Sequence, residues 1–225
     1  MKDNPREKLK RAKLVAITAQ PKPGKTYLEM VKAALMGGAE VIQLREKQLS
    51  SKEFLFLAKS LKELCHLYGA LFIVNDRLDL ALASGADGAH LGQEDCPLPD
   101  ARKIVNQFYG SSYLKEEVPF LLGCSTHSLE QALKAEEEGA DYLGCGPIFA
   151  TPTKPDRAAV GLELIKEYRK RIHIPFFAIG GIDPTNIEQV LKAGAKAIAV
   201  VRAVFASEDI QGSVHSLRET IGRYA

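Results

Sequence analysis

The sequence predicts an α/β protein folded as one closed (β/α)8 TIM barrel with a short charged N-terminal arm. Three observations predict it. The chain has 225 residues, close to the smallest size such a barrel takes. Short apolar runs alternate with amphipathic segments along its length, the pattern of a parallel sheet. A Gly-Ala motif recurs at every second run, as Gly38-Ala39-Glu40, Gly85-Ala86-Asp87, Gly139-Ala140-Asp141 and Gly194-Ala195-Lys196. Each copy follows a helical stretch, and its glycine suits the left-handed position that ends a helix. Successive copies lie far enough apart to hold two strand-helix units.

Residues 1–13 are mostly charged and lack the apolar core of a signal peptide. They read as a solvated arm before a catalytic barrel of residues 14–225. Strands are predicted at 14–18, 41–44, 71–75, 88–91, 120–123, 142–145, 175–179 and 197–201. The helical period is clearest over 52–68, where Phe54, Leu55, Leu57, Ala58, Leu61, Leu64 and Cys65 share one face. Residues 105–118 show no period and read as a surface excursion. A doubly wound open sheet is the alternative architecture, but no Gly-x-Gly-x-x-Gly follows the first run.

Composition excludes several classes. The chain is 46% hydrophobic and 26% charged, and its net charge is +2. That balance argues against a protein built on a basic nucleic-acid face. No apolar run approaches the ~18 residues that argue for a membrane helix. Cys65, Cys96, Cys124 and Cys145 form no Cys-x-x-Cys pair and no zinc spacing. A reduced, cytoplasmic protein is the expectation.

In such barrels the chemistry sits where strands end. Run 2 ends Gln43-Leu44-Arg45-Glu46-Lys47, where alternation points Gln43 and Arg45 to one side. An amide and two cations there suit an anionic substrate. Run 3 ends Asn75-Asp76-Arg77, and run 4 leads into Gln93-Glu94-Asp95. Asp76 is either a helix cap or a ligand for a hard cation. Two acids at the ends of neighbouring parallel strands favour Mg2+, which prefers oxygen ligands and accompanies phosphates. After run 5, Ser125 or Thr126 can cap a helix, with Glu130 following. His127 is either an acid-base group or a residue of the first helical turn, and His90 reads as a satisfied core histidine. The loop after run 6 gathers Thr151, Thr153 and Lys154, donors suited to phosphate oxygens. Gly180-Gly181 after run 7, beside the end of run 8 at Val201-Arg202, suits a phosphate held by backbone N–H groups.

These segments, above all 43–47, 75–77, 85–95, 139–154 and 179–182, resemble the thiamine-phosphate synthase (thiamine-phosphate pyrophosphorylase) family over about residues 14 to 206. The resemblance implies an alkyl transferase. It joins 4-amino-5-hydroxymethyl-2-methylpyrimidine diphosphate to 4-methyl-5-(2-phosphoethyl)thiazole, gives thiamine phosphate and pyrophosphate, and requires Mg2+. It implies Asp76 and Asp95 as Mg2+ ligands. It places the pyrimidine diphosphate on Gln43, Arg45, Lys47, Asn75, Ser125 and Lys154, of which Arg45, Lys47, Ser125 and Lys154 serve catalysis. The thiazole phosphate falls on Thr151, Thr153, Gly181, Val201 and Arg202. The partners implied are these small molecules and a second copy of the chain in a homodimer, with no nucleic acid and no membrane. Where the family usually has a small hydroxyl residue this chain has Arg202, whose side chain either turns outward or meets the phosphate directly. A related thiazole tautomerase and a non-catalytic thiazole-phosphate-binding regulator are the rival readings.

Overall fold

The computed structural model of the protein describes residues 4–110, 120–152 and 157–224. Eight parallel strands close on themselves in sequence order. They are β1 (Leu14–Ile17), β2 (Val41–Leu44), β3 (Leu71–Asn75), β4 (Gly88–Leu91), β5 (Leu121–Thr126), β6 (Tyr142–Cys145), β7 (Phe176–Ile179) and β8 (Ile198–Val200). The helices are α1 (Pro5–Arg11), α2 (Tyr27–Met36), α3 (Ser51–Leu67), α4 (Leu78–Ser84), α5 (Leu98–Tyr109), α6 (Leu129–Glu137), α7 (Glu163–Arg171), α8 (Ile187–Lys192), α9 (Arg202–Phe205) and α10 (Ile210–Gly222). The four motif glycines all take positive φ, at 97°, 69°, 88° and 109° for Gly38, Gly85, Gly139 and Gly194. A side chain is strained there, so glycine turns each helix into the next strand.

Alternation along the strands sorts side chains into two cores. Ala16, Ile42, Leu44, Phe72, Val74 and Leu143 face outward into a layer shared with the helices. Val15, Val41, Leu71, Ile73, Leu121, Tyr142 and Phe177 fill the barrel interior. Three inward strand positions are glycine, and large neighbours fill the space. A Cβ on Gly123 would lie 2.2 Å from the Tyr142 ring, and one on Gly88 would lie 2.7 Å from Leu121 Cβ. The third, Gly144, faces the His90 ring at 3.4 Å.

The acid after each of the first three Gly-Ala pairs has a structural task. Asp87 N–H donates to Phe72 O at 2.9 Å, and Phe72 N–H donates back to the Asp87 carboxylate at 2.7 Å. Asp141 and Leu122 repeat the exchange at 2.7 and 2.8 Å. The Glu40 carboxylate accepts from Lys13 N–H at 2.7 Å and Leu14 N–H at 3.2 Å. Each carboxylate also meets a basic group. Arg218 lies 3.1 Å from Glu40 and the His66 imidazole 3.0 Å from Asp87; Asp141 takes Arg102 at 2.8 Å and Arg6 at 3.1 Å. Lys196 occupies the fourth position and is exposed.

Three local expectations are corrected. Within the charged N-terminal segment, residues 5–11 form a docked helix rather than a solvated arm. Asn4 caps α1 by accepting Arg6 N–H at 2.8 Å, and the helix carries Leu9, only 2% exposed, into the interior cluster. One apolar residue in a charged helix is enough to dock it when the barrel floor offers an apolar seat. Residues 105–109 continue α5 rather than form an excursion, while 111–119 lie outside the described residues. Strand β5 runs on through Thr126, so neither Ser125 nor Thr126 caps a helix. Ser128 does, accepting Gln131 N–H at 3.2 Å.

Leu9→Ala is expected to lower unfolding free energy by about 2–3 kcal/mol in urea titrations, where a solvated arm would give no change. Asp141→Ala leaves Leu122 N–H without its acceptor and removes the carboxylate partner of Arg6 and Arg102, so a loss of about 2–3 kcal/mol is expected. Lys196→Ala, at the equivalent repeat position, should stay within about 0.5 kcal/mol in the same assay.

Candidate active site

The strand ends open into one cavity of about 390 Å³. Gln43, Arg45, Asn75 and Ser125 line it from β2, β3 and β5, and Thr151, Gly181, Val201 and Arg202 line it from the β6, β7 and β8 ends. The predicted positions therefore converge from both halves of the chain. Lys47 and the two acids stand at the ends of β2, β3 and β4 without lining this cavity. Thr153 and Lys154 lie outside the described residues.

Arg45 is anchored through its backbone. Its N–H donates to Thr18 Oγ1 at 2.9 Å, and the Thr18 hydroxyl donates to its carbonyl at 3.3 Å. Thr18 is only 1% exposed, so it anchors the loop from inside. The guanidinium of Arg45 makes no ion pair among the described residues. Leu44, between Gln43 and Arg45, points into the outer core, as alternation requires.

Asp76 is not a helix cap. Arg77 holds the cap position of α4 and makes no side-chain cap bond. Asp76 instead adopts a left-handed backbone at φ 63°, the one positive-φ residue other than glycine among the described residues. Such a conformation is costly for a side chain and persists only where the surroundings enforce it. Its N–H donates to His90 O at 2.9 Å, joining the ends of β3 and β4, and its carboxylate lies 3.7 Å from Lys47 Nζ. Asp95 accepts Gly92 N–H on Oδ2 at 2.6 Å, which curls the β4 loop and leaves Oδ1 without a partner among the described residues. Among the described residues no group of three or more His, Cys, Asp or Glu forms a metal cage. Two carboxylates with room for phosphate are what Mg2+ ordinarily uses.

A polar chain runs through the interior beneath the cavity. His90 Nε2 lies 2.9 Å from Ser125 Oγ and Nδ1 lies 3.2 Å from Tyr142 Oη. Burial pushes the Tyr142 phenol far above its ordinary range, so it remains protonated at neutral pH. His90 is thus satisfied, as expected of a core histidine, yet it also reaches the cavity wall. His127 ties two loops: its N–H donates to Gln131 Oε1 at 2.8 Å and its Nδ1 meets the Gly146 carbonyl. Burial raises the Cys124 thiol to about 11, which favours the protonated form at neutral pH.

The double glycine after β7 is required by packing as well as by any ligand. A Cβ on Gly180 would lie 2.4 Å from Pro147 Cβ, and one on Gly181 would lie 2.7 Å from Phe149 Cβ. The β6 loop lies directly on this turn, with Ile148 N–H donating to Ile179 O at 2.8 Å and Phe149 N–H to Gly180 O at 3.0 Å. Asn186 fixes the turn further by donating to Gly181 O at 2.8 Å. Sequence reasoning gave Asn186 no role, because a lone asparagine carries no signal without the turn it clasps. Gly181 N–H has no partner among the described residues. Arg202 is exposed at the first position of α9 and forms no ion pair among the described residues.

Comparisons with known proteins assign the chain to a family. The family model described as thiamine monophosphate synthase matches residues 14–204. A thiamine-phosphate synthase of Moorella thermoacetica is 44% identical over 93% of this chain and 95% of its own. One from Thermosynechococcus vestitus is 47% identical over 93% of this chain, which spans only 56% of that protein's length. The solved thiamine phosphate pyrophosphorylase of Pyrococcus furiosus superposes with a TM-score of 0.84 at 40% identity, covering 97% of this chain and 98% of that one. The chain belongs to the thiamine monophosphate synthase family.

Proposed function

We propose that this barrel is a thiamine-phosphate synthase, joining the pyrimidine diphosphate and the thiazole phosphate named above into thiamine phosphate with release of pyrophosphate. The observation that carries the reading is one cavity with two different ends. At the β2 end Arg45 lines it, unpaired among the described residues, with Lys47 paired to Asp76 at 3.7 Å and Asp95 beyond the cavity lining. At the β7–β8 end Gly181, whose N–H has no partner among the described residues, and Arg202 line it. Substrates with a diphosphate and a monophosphate suit such a division. Residues 14–225 form the catalytic barrel in this reading, with α1 packed at its floor, and four free cysteines suit a reduced cytoplasmic setting.

Each group then has a task. Arg45, Lys47 and Lys154 face the diphosphate, Gln43 and Asn75 orient the pyrimidine, and Ser125, fixed by His90, adds a hydroxyl. Thr151, Thr153, Gly181, Val201 and Arg202 take the thiazole phosphate. The pyrimidine's methylene–oxygen bond breaks, and the electron pair leaves with pyrophosphate. The thiazole nitrogen then donates its pair to the pyrimidine methylene carbon. No protein nucleophile is needed, consistent with the protonated state of the buried thiols. Charge grows on the leaving group, where cations placed in advance stabilise it most effectively. Asp76 and Asp95 would hold Mg2+, which when bound adds positive charge at the leaving diphosphate.

Mixing the protein with both substrates should yield thiamine phosphate and pyrophosphate by chromatography, and only with Mg2+ present. Absence of product from folded protein would overturn the reading. Asp76→Ala and Asp95→Ala should each raise the Mg2+ concentration for half-maximal rate by at least about tenfold, the scale of one lost charge-assisted contact. An unchanged Mg2+ dependence in the double variant would remove these acids from the metal site.

A further inference from the structure

An acid placed between two phosphate-facing cations is a problem for anion binding, and Glu46 stands between Arg45 and Lys47. A carboxylate there would ordinarily pair with one of them and neutralise it. It pairs with neither. One oxygen, Oε1, accepts the N–H groups of Gln48 and Leu49, the latter at 3.2 Å. The other, Oε2, accepts Gln20 Nε2 at 2.6 Å and the Tyr27 hydroxyl. All four donors are neutral. Burial by itself would raise the Glu46 carboxyl, but the Tyr27 hydroxyl and the two amides outweigh it and hold it below the usual carboxylate range.

The four bonds connect three pieces of chain. Gln48 and Leu49 belong to the β2–α3 loop itself, Gln20 to the loop after β1, and Tyr27 to the first position of α2. Together with Thr18, which holds the Arg45 backbone, Glu46 fixes this loop from two sides. The carboxylate is thereby turned away from the cavity that Arg45 lines. Arg45 and Lys47 are left to point elsewhere, one into the cavity and one toward Asp76.

From this arrangement we propose that Glu46 is a positioning residue for the diphosphate end of the site. It sets the loop that presents Arg45 and Lys47, and its own charge is occupied by neutral donors, so both cations remain available to the anion. The inference rests on the functional reading above for the identity of the substrate. Its anion chemistry can be tested separately.

The test uses the full chain with Glu46→Gln and Tyr27→Phe, singly and combined. The glutamine variant keeps one acceptor oxygen but turns an NH2 toward donors. The phenylalanine variant keeps the ring and removes one hydroxyl. Steady-state kinetics should show KM for the pyrimidine diphosphate raised about tenfold in Glu46→Gln and by a smaller factor in Tyr27→Phe, with KM for the thiazole phosphate unchanged. The double variant should be no worse than Glu46→Gln alone, since both changes act on one bond network. Calorimetric titration with inorganic pyrophosphate and Mg2+ should show the same weakening without turnover. Equal shifts in both KM values, or wild-type pyrophosphate affinity in Glu46→Gln, would overturn the proposal. If wild-type protein makes no thiamine phosphate yet the variant loses pyrophosphate affinity, the positioning role stands and the functional reading falls.

Discussion

The reciprocal grip of a carboxylate on the preceding strand is the interaction on which the barrel's organisation rests. A parallel strand pair begins with backbone groups that have no partner on the ladder, and an unsatisfied buried N–H is costly. Asp87 and Asp141 solve this by holding both the N–H and the C=O of one residue on the neighbouring strand. Glu40 serves β1 with its carboxylate alone, accepting the N–H groups of Lys13 and Leu14. The grip fixes register, and register decides which side chains face inward. Because all three acids sit where strands begin, the floor of the barrel is committed to stability. The strand ends are then free to carry residues chosen for chemistry.

Register also explains how polar groups survive inside the barrel. Glycine at 123 makes room for Tyr142, whose hydroxyl reaches His90, and glycine at 144 makes room for the His90 ring. His90 in turn meets Ser125 at the cavity wall. A buried phenol, imidazole and hydroxyl would each destabilise the interior if unpaired, yet in sequence each meets a partner. The same logic of a missing Cβ filled by a neighbour recurs at Gly180 and Gly181, where the β6 loop lies on the β7 turn. Packing and ligand access thus place the same demand on those glycines.

Much of this was legible from residue pattern alone, for physical reasons. The strand-helix alternation and the Gly-Ala repeat are periodic, and periodicity needs no knowledge of partners. Gln43 and Arg45 on one side of Leu44 followed from the two-residue repeat of a strand. What could not be read were features set by contacts distant in sequence. Leu9 looked incidental within a charged segment, because its seat is built from strands across the whole barrel. Asp76 could also be read as a helix cap, and only the folded chain, with Arg77 at the cap position of α4 and Asp76 in a left-handed backbone, removes that reading; its metal role stands on the family resemblance. The acids of the repeat were visible as a motif, but their grip on the strand before required the closed sheet. Thr153 and Lys154 belong to residues outside those described, so their expected roles stand on the family resemblance.

One distinction runs through the whole molecule: whether a charge is consumed by the fold or left for a ligand. At the floor, the carboxylates of Glu40, Asp87 and Asp141 each take at least one backbone N–H and a basic side chain, so their charge is spent within the fold. At the mouth, Arg45 has its backbone fixed but its guanidinium unpaired among the described residues, while Asp95 commits one carboxylate oxygen to Gly92 N–H and, among the described residues, leaves the other. Glu46 is the instructive intermediate. It lies at the mouth but is bonded in the manner of the floor, with neutral donors so that neighbouring cations are not cancelled. A site assembled this way has its electrostatic field set before any substrate arrives, and little reorganisation is required when negative charge develops on a leaving group. The rigidity of the floor and the reactivity of the mouth are therefore two results of one placement of charge.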